Sequence, residues 1–329
     1  MLRTGRGVAH AKVILFGEHA VVHGEPAIAM PLDVLGVRAT VRHRPGELSV
    51  VSDLYTGPLA QAPELMSSPR AVVHAALDRV GLPLRDLEIA VVGDVPHARG
   101  LGSSAAVAGA LVRAIADYAG VTLTEAEHLA LVDLGERLAH GTPSGLDARA
   151  TSADAMVWFE AGVARRLATR TSAVLVVADS GLAGRTRTAV ADVAAFLERR
   201  PVRGAALIAG LGALAQGAAL DLAAGRAEQV GAKMSQAQGM LRELGVSSPE
   251  LDALIDAATA AGALGAKLTG GGQGGCVIAL VRDEAGAVVV DAAMRAAGAV
   301  TVWHHPIGPD GAAGVASGTS PDDVQVETT

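Results

Sequence analysis

Residues 96–106 form the glycine-containing segment with the clearest chemical potential. A glycine turn runs directly into an Ala-rich pattern, which predicts a helix to about Tyr118. A helix that begins at such a turn presents free backbone N–H groups and the positive end of its dipole, and both favour phosphate. The hydroxyls of Ser103 and Ser104 could add a hydrogen bond or a Mg²⁺ ligand. The segment therefore predicts a phosphate-binding loop.

The same segment contains the pattern G-x-G-x-x-A at Gly100, Gly102 and Ala105, so a dinucleotide-binding fold is a rival interpretation. That fingerprint needs a strand running straight into the first glycine and an acidic residue at the end of a second strand. Here the predicted strand ends near Gly93, and residues 117–127 have the pattern of a helix and a turn. Binding of a nicotinamide cofactor would reveal this class. A Walker-type P-loop is excluded because the dipeptide Gly-Lys does not occur in the chain.

Two further segments contain glycine and polar residues. Residues 11–24 place Lys12 on a predicted strand, with Glu18 and His19 in the turn that follows. Residues 267–276 have glycine at five of the six positions 270–275, which is hard to explain by packing and favours a backbone wall close to an anionic ligand. Taken alone, the first segment could equally be a strand with an ordinary polar turn, and the second a flexible hairpin loop.

Two carboxylates are candidates for acid–base or metal chemistry. Glu136 falls late in a helical pattern, and Asp147 follows Pro143 and Gly145 in a stretch that we interpret as a loop. A carboxylate on such a loop is a candidate base or metal ligand. A surface aspartate is nevertheless more often simply solvated.

The composition limits the kinds of protein that could carry these residues. A chain of 329 residues that is 50% hydrophobic and only 2% aromatic is long enough for two domains with cores of Ala, Val and Leu. A net charge of −7 argues against nucleic-acid binding. The single cysteine, Cys276, excludes an internal disulfide and a cysteine-based zinc site and fits a reducing compartment. The first residues lack a signal-peptide pattern, so we expect a cytoplasmic protein.

Alternating and helical patterns give a coarse map of the chain. Strands are predicted at 8–16, 34–43, 48–52, 87–92, 173–178, 265–268, 275–281 and 300–304. Helices are predicted at 69–80, at 103–118, after a Thr124–Glu127 capping box, four times between 185 and 261, and at 284–297. The apolar stretch 204–220 is short for a membrane span and contains Gln216, which favours a buried helix. We predict domains at 1–168 and 169–316 and a disordered tail at 317–329.

Together and in this order, the three glycine segments resemble the motifs of the GHMP kinase superfamily over about residues 8–305. Residues 17–24 are most similar to the mevalonate kinase branch. They lack the Thr-Asp-Tyr of galactokinases and the Glu-Tyr of phosphomevalonate kinases. Homoserine kinases have no lysine at the position that matches Lys12. The Lys-Tyr-Trp-Gly-Lys-like stretch of diphosphomevalonate decarboxylases is not found.

The resemblance implies an α+β fold of two domains with the active site in the cleft between them. The N-terminal domain would be ribosomal-protein-S5-like and the C-terminal domain ferredoxin-like. The implied reaction is ATP-dependent, Mg²⁺-dependent phosphorylation of mevalonate to 5-phosphomevalonate, in the mevalonate route to isoprenoids. The protein would be a monomer or homodimer that binds neither nucleic acid nor membrane.

The resemblance also implies roles for individual residues. Asp147 would accept or orient the proton of the attacking hydroxyl, and Lys12 would stabilise that oxygen by charge. Ser104 and Glu136 would bind Mg²⁺. The triphosphate would lie against Pro96, Gly100, Leu101, Gly102, Ser103, Ser104, Ala105 and Ala106. The acceptor would lie near Lys12, Glu18, His19, Asp147, Thr186, Gly270 and Gly271.

Three positions depart from the family pattern. His10-Ala11 replaces the usual Pro-Gly, Gly271 replaces the usual Ala, and residues 148–153 replace a Ser-Thr and Gly-Gly stretch. The last departure keeps another small hydroxylated acceptor, such as phosphomevalonate, open. A non-catalytic ligand sensor on the same fold is a second alternative, although such a protein should have lost Lys12, Glu136 or Asp147.

Overall fold

Two β-sheets organise residues 3–141 and 144–309, which are the residues described by the computed structural model. The predicted tail at 317–329 lies outside them. The strands of the first sheet are β1 Thr4–Phe16, β2 Ala27–Glu47, β3 Ser49–Val51, β4 Thr56–Pro58, β5 Arg85–Gly93, β6 Val157–Glu160 and β7 Val163–Arg166. Those of the second are β8 Ala173–Asp179, β9 Gly265–Thr269, β10 Cys276–Val281 and β11 Thr301–Ile307.

The helices flank these sheets. They are α1 Ser67–Arg79, α2 Ser103–Ala119, α3 Glu125–His140, α4 Leu146–Ala150, α5 Thr186–Arg199, α6 Pro201–Ala223, α7 Ala227–Glu243, α8 Pro249–Ala260 and α9 Glu284–Ala296. The four helices predicted between 185 and 261 are confirmed as α5 to α8. The predicted capping box is also confirmed, because Thr124 and Glu127 exchange both hydrogen bonds at the start of α3.

β1 is the strand that brings Lys12 to the centre of the protein. Its burial alternates over the first residues and becomes almost continuous from Ala11 to Phe16, after a register shift against β2 between His10 and Ala11. The first half of the strand is covered on one face by α2, where a Cβ on Gly7 would lie 2.1 Å from the carbonyl oxygen of Ala110. The second half also contacts the second sheet, where the Thr269 hydroxyl on β9 accepts from the Ile14 N–H at 2.9 Å and donates to the Ile14 carbonyl at 3.0 Å. Lys12 therefore lies where both sheets meet.

The second sheet has the strand order β11-β8-β10-β9, with every neighbouring pair antiparallel. Its elements follow the chain order strand, helices, strand, strand, helix, strand, which is the β-α-β-β-α-β arrangement of ferredoxin-like domains. The hairpin between β9 and β10 carries the glycine-rich segment 270–275 to the first sheet. The α+β fold of two sheets is thus confirmed.

The structure differs from the sequence predictions at several elements. The strands β4, β6 and β7, of three or four residues each, were not predicted, whereas the equally short β3 was predicted from its β-branched residues. The apolar stretch 204–220 belongs to α6, which has 23 residues and is long and apolar enough to span a membrane by length and composition alone. The length argument was therefore wrong, and half of the most apolar window of α6 is buried within the protein.

Candidate active site

A cavity of about 880 Å³ lies between the two sheets and collects most of the predicted site residues. Its walls are the end of β1, the loop 94–102, the first turn of α2, α4, the start of α5 and the loop after β9. Of the predicted residues, only Pro96, Leu101, Ala105 and Ala106 do not line it. Residues far apart in sequence therefore face one space.

Lys12 and Asp147 form an ion pair at the cavity wall. The Lys12 Nζ lies 3.0 Å from the Asp147 Oδ1 and donates a hydrogen bond to the Gly100 carbonyl at 3.1 Å. The Lys12 side chain is 2% exposed, whereas that of Asp147 is 34% exposed. The carboxylate therefore faces the open space, and the ammonium supports it from within.

Asp147 occupies the first turn of the short helix α4, so its interpretation as a loop residue was wrong. Gly145 precedes this helix with φ 83°, a left-handed conformation that glycine adopts without strain. Gly145 therefore marks the start of a helix that fixes the carboxylate.

Glu136 and Ser104 lie side by side deeper in the cavity. Glu136 is 3% exposed and accepts a hydrogen bond from Ser104. Burial, together with the nearby negative charge of Asp147, raises the pKa of Glu136 to about 7. A cation beside this carboxylate would offset both effects.

This donor set fits Mg²⁺, which takes oxygen ligands and needs only one or two from the protein when phosphates and water supply the others. Among residues 3–141 and 144–309, no cluster of three or more His, Cys, Asp or Glu side chains could hold a metal by itself. The residues present therefore suit a metal that arrives with a phosphate ligand, and Glu136 and Ser104 are the pair that would hold it.

The first turn of α2 forms the floor of the cavity beside Lys12. Gly102 precedes the helix with φ 72° and supplies no side-chain cap. Its carbonyl accepts from Ala106, so the N–H groups of the residues before Ala106 have no acceptor within the helix. The Ser103 hydroxyl lies 3.3 Å from the His97 Nδ1. The helix start that the sequence predicted is therefore present, and its N–H groups are of the kind that bind anions in other proteins.

We expect Gly102→Ala to lower kcat by about 10-fold to 100-fold, because small displacements of catalytic groups have effects of that size. An added Cβ would lie 2.9 Å from the Lys12 Cγ and 3.0 Å from the Thr151 Cγ2, so the buried lysine must move. Steady-state kinetics of the reaction at this site would measure the loss.

The matched control is Gly162→Ala, which has a similar φ of +81° but no atom within 4 Å of the added Cβ. It introduces the backbone strain without the collision. Equal losses of kcat in the two variants would refute the steric explanation.

The glycine-rich segment packs closely against other parts of the protein, so packing explains more of its glycines than the sequence indicated. A Cβ on Gly270 would lie 2.9 Å from the Gly100 Cα, and one on Gly271 would lie 2.7 Å from the Thr186 Oγ1. A Cβ on Gly272 would lie 2.1 Å from the Val246 carbonyl oxygen. The glycines let this loop approach other protein backbone, and Gly270 and Gly271 also line the cavity.

His19 closes one end of the cavity against the same loop. It has a positive φ of 61°, and its Nε2 lies 3.0 Å from the Gly271 carbonyl oxygen. Burial lowers the pKa of His19 to about 4, so the ring is neutral at pH 7 and donates from Nε2. His19 therefore joins the turn after β1 to the second sheet.

Sequence reasoning did not predict the partner of Glu18. The Glu18 carboxylate forms an ion pair with the ammonium of Lys267 on β9, and both side chains are fully buried. Lys267 also donates to the Leu268 carbonyl at 2.7 Å. Glu18 still contributes to the cavity wall. No local signal connects two residues at opposite ends of the chain.

The apolar half of the cavity was also missed. It lies between the first sheet, α1 and α2, and its walls include Val50, Leu59, Met66, Val73 and Leu111. These side chains come from separate elements and have the pattern of ordinary core residues. Nothing in their spacing distinguishes a cavity wall from a filled core.

Comparisons with known proteins agree with this geometry. Models of the GHMP kinases N terminal domain and the GHMP kinases C terminal domain match residues 68–153 and 218–300. The chain is 31% identical to the mevalonate kinase of Pyrococcus furiosus, over 84% of this chain and 89% of that protein. It is 33% identical to the mevalonate kinase of Aeropyrum pernix, over 86% and 90%.

A solved structure of similar shape is the L. major mevalonate kinase in complex with R-mevalonate. It has a TM-score of 0.82 and 27% identity, and the match covers 94% of this chain and 97% of that one. The mevalonate kinase structure from methicillin-resistant Staphylococcus aureus has a TM-score of 0.69, also at 27% identity, over 93% and 99%.

Proposed function

This chain belongs to the GHMP kinase family, and from that premise we propose that it transfers the γ-phosphoryl group of ATP to a hydroxyl of mevalonate, giving 5-phosphomevalonate. The observation that carries the proposal is the Lys12–Asp147 pair, which lies beside the first turn of α2 in one cavity. The Pyrococcus furiosus and Aeropyrum pernix relatives, which are 31% and 33% identical over 84% and 86% of this chain, are mevalonate kinases.

The acceptor hydroxyl would lie against Asp147. The oxygen of the acceptor hydroxyl would form a bond to the γ-phosphorus of ATP. The bond from that phosphorus to the oxygen that bridges the β- and γ-phosphates would break, and ADP would leave. The proton of the hydroxyl would pass to Asp147. The Lys12 ammonium, 3.0 Å from that carboxylate, would stabilise the negative charge that develops on the acceptor oxygen.

The triphosphate would lie across the first turn of α2, where backbone N–H groups without a helical acceptor can donate to it. Glu136 and Ser104 would hold Mg²⁺ on the phosphates. When bound, Mg²⁺ neutralises phosphate charge and fixes the γ-phosphoryl group in position. The apolar half of the cavity would hold the nucleoside.

The acceptor would occupy the opposite end, where His19, Thr186 and Gly271 meet. Glu18, in its ion pair with Lys267, would form part of the wall beside the acceptor. We also propose that the domains divide at 168/169, in the segment between β7 and β8. A cytoplasmic location, a monomeric or homodimeric state and the absence of nucleic-acid or membrane partners stay predictions.

The test is release of ADP from MgATP by purified protein with mevalonate, phosphomevalonate, homoserine and galactose offered separately. We expect strong turnover with mevalonate and only background release with the other three. Turnover with another acceptor instead would overturn the choice of mevalonate and keep the kinase chemistry. MgATP binding without turnover on any of the four would favour the ligand-sensor alternative.

A further inference from the structure

Arg99 lies on the phosphate-binding loop, residues 94–102, and reaches from it to the second sheet. Its Nε lies 2.9 Å from the Asp179 Oδ1 and 3.0 Å from the Oδ2, at the end of β8. Its Nη2 donates to the Gly181 carbonyl at 3.0 Å. The carboxylate is 6% exposed and the guanidinium side chain 20% exposed. This contact is a charged link between the sheets, shielded from solvent, and no role proposed so far uses it.

The residue before Arg99 is held in an unusual conformation. Ala98 has a φ of 55°, in the left-handed region that a Cβ disfavours. Its carbonyl accepts a hydrogen bond of 2.7 Å from the N–H of Gly184, just before α5. Such a conformation persists when the surroundings fix it, and here the surroundings belong to the second sheet and its connections.

Backbone packing continues the same contact. A Cβ on Gly275 would lie 2.8 Å from the Arg99 carbonyl oxygen, and a Cβ on Gly100 would lie 3.0 Å from the Thr269 carbonyl oxygen. The loop therefore lies directly on backbone of the second sheet on both sides of the Arg99 side chain. Its shape is set by contacts across the cleft.

We propose that Arg99 is a positioning residue for the nucleotide. Through its ion pair with Asp179 it holds the loop in the shape that presents the first turn of α2 to the phosphates. The inference rests on the proposed function, since it takes the cavity to be a nucleotide site. The competing possibility is that Arg99 leaves Asp179 and contacts phosphate directly.

The two possibilities predict different behaviour when Asp179 is changed. If Arg99 acts through the pair, then Arg99→Ala and Asp179→Asn weaken nucleotide binding alike, and the double variant is no worse than either one. If Arg99 contacts phosphate directly, Asp179→Asn frees the guanidinium and leaves binding unchanged or tighter. In the wild-type protein the N–H of Gly181 donates to the Asp179 carboxylate at 2.8 Å. Asp179→Asn retains a side-chain oxygen that can accept this hydrogen bond.

The experiment is titration of the purified variants with MgADP, together with KM values for ATP and mevalonate. We expect a rise of about tenfold in the Kd for MgADP in both single variants. This corresponds to about one molecule in ten with the loop in the conformation that binds the nucleotide. The KM for mevalonate should change by less than about twofold. A merely structural role would instead change both KM values together or neither.

Arg203→Ala is the matched control, because it breaks an Arg–Glu pair with Glu243 in which neither residue lines the cavity, and it should leave the Kd unchanged. If Arg99→Ala does not fold, Arg99→Lys keeps the charge and loses the forked geometry, and the Kd should rise by a smaller factor. Tight MgADP binding by Asp179→Asn would overturn the positioning role.

The failure of this inference is distinguishable from the failure of the proposed function. Wild-type protein that binds MgADP, with variants that bind it equally tightly, would overturn the role of Arg99 alone. Wild-type protein that neither binds MgADP nor releases ADP would overturn the proposed function, and the role of Arg99 would fall with it.

Discussion

Asp147→Asn is expected to lower kcat by about 10³-fold, within the range of about 10² to 10⁴ for loss of a general base. The amide has the same size but cannot accept the proton of the acceptor hydroxyl. It also removes the negative charge that lies 3.0 Å from the Lys12 ammonium. The KM for MgATP should stay within about twofold of wild type, because Asp147 lies on α4 and not on the loop 94–102 before α2.

Initial rates of ADP release at saturating mevalonate would measure this effect, and equilibrium binding of MgADP would show whether the nucleotide site survives. Asp154→Asn is the matched control, since that side chain is 92% exposed and lies outside the cavity. It should retain wild-type kcat. A kcat for Asp147→Asn within about tenfold of wild type would show that this carboxylate orients the hydroxyl at most.

Features that depend on neighbouring residues could be predicted from the sequence. The glycine turn before α2, the capping box of α3 and the strand character of residues 8–16 in β1 each lie within one short window, and the structure has all three. Lys12 could be assigned to a strand and Glu136 to a helix for the same reason. The family resemblance then supplied the expectation that they meet.

Features that depend on contacts across the chain could not be predicted. Glu18 and Lys267 are 249 positions apart, and Arg99 and Asp179 are 80 positions apart. No periodicity connects such pairs, because each residue satisfies its local pattern equally well without the other. The close packing of residues 270–275 could not be predicted for the same reason, since the backbone against which these glycines pack comes from elsewhere in the chain.

Lys267→Met is expected to lower the free energy of unfolding by about 3–5 kcal/mol, the usual cost of removing one partner from a buried ion pair. The ammonium is fully buried against Glu18. Burial lowers the pKa of Lys267 and raises the pKa of Glu18, while their mutual attraction opposes both shifts. Without the lysine, a buried carboxylate keeps the cost of desolvation and loses its counter-charge.

The loss should depend on pH. In Lys267→Met the loss of the ammonium raises the pKa of Glu18 further above its value in the unfolded chain. Glu18 therefore keeps a proton in the folded protein over a pH range in which it is ionised in the unfolded chain. Stability contributed by that proton is present at low pH and is lost as pH rises through the folded pKa. Chemical unfolding at pH 5 and at pH 8 should therefore show the larger deficit, relative to wild type, at pH 8.

A double replacement separates an uncompensated charge from simple loss of packing. Glu18→Met combined with Lys267→Met removes both charges and keeps the volume similar, so it should recover much of the stability lost in the single variant. Lys233→Met is the matched control, because its partner Asp221 keeps Arg226 and lies nearer to solvent, and the loss should be smaller. If the double variant is as unstable as Lys267→Met alone, the cost comes from the missing ammonium contacts to the backbone of β9. The attraction between Glu18 and Lys267 would then contribute nothing measurable to the contact between the turn after β1 and the second sheet.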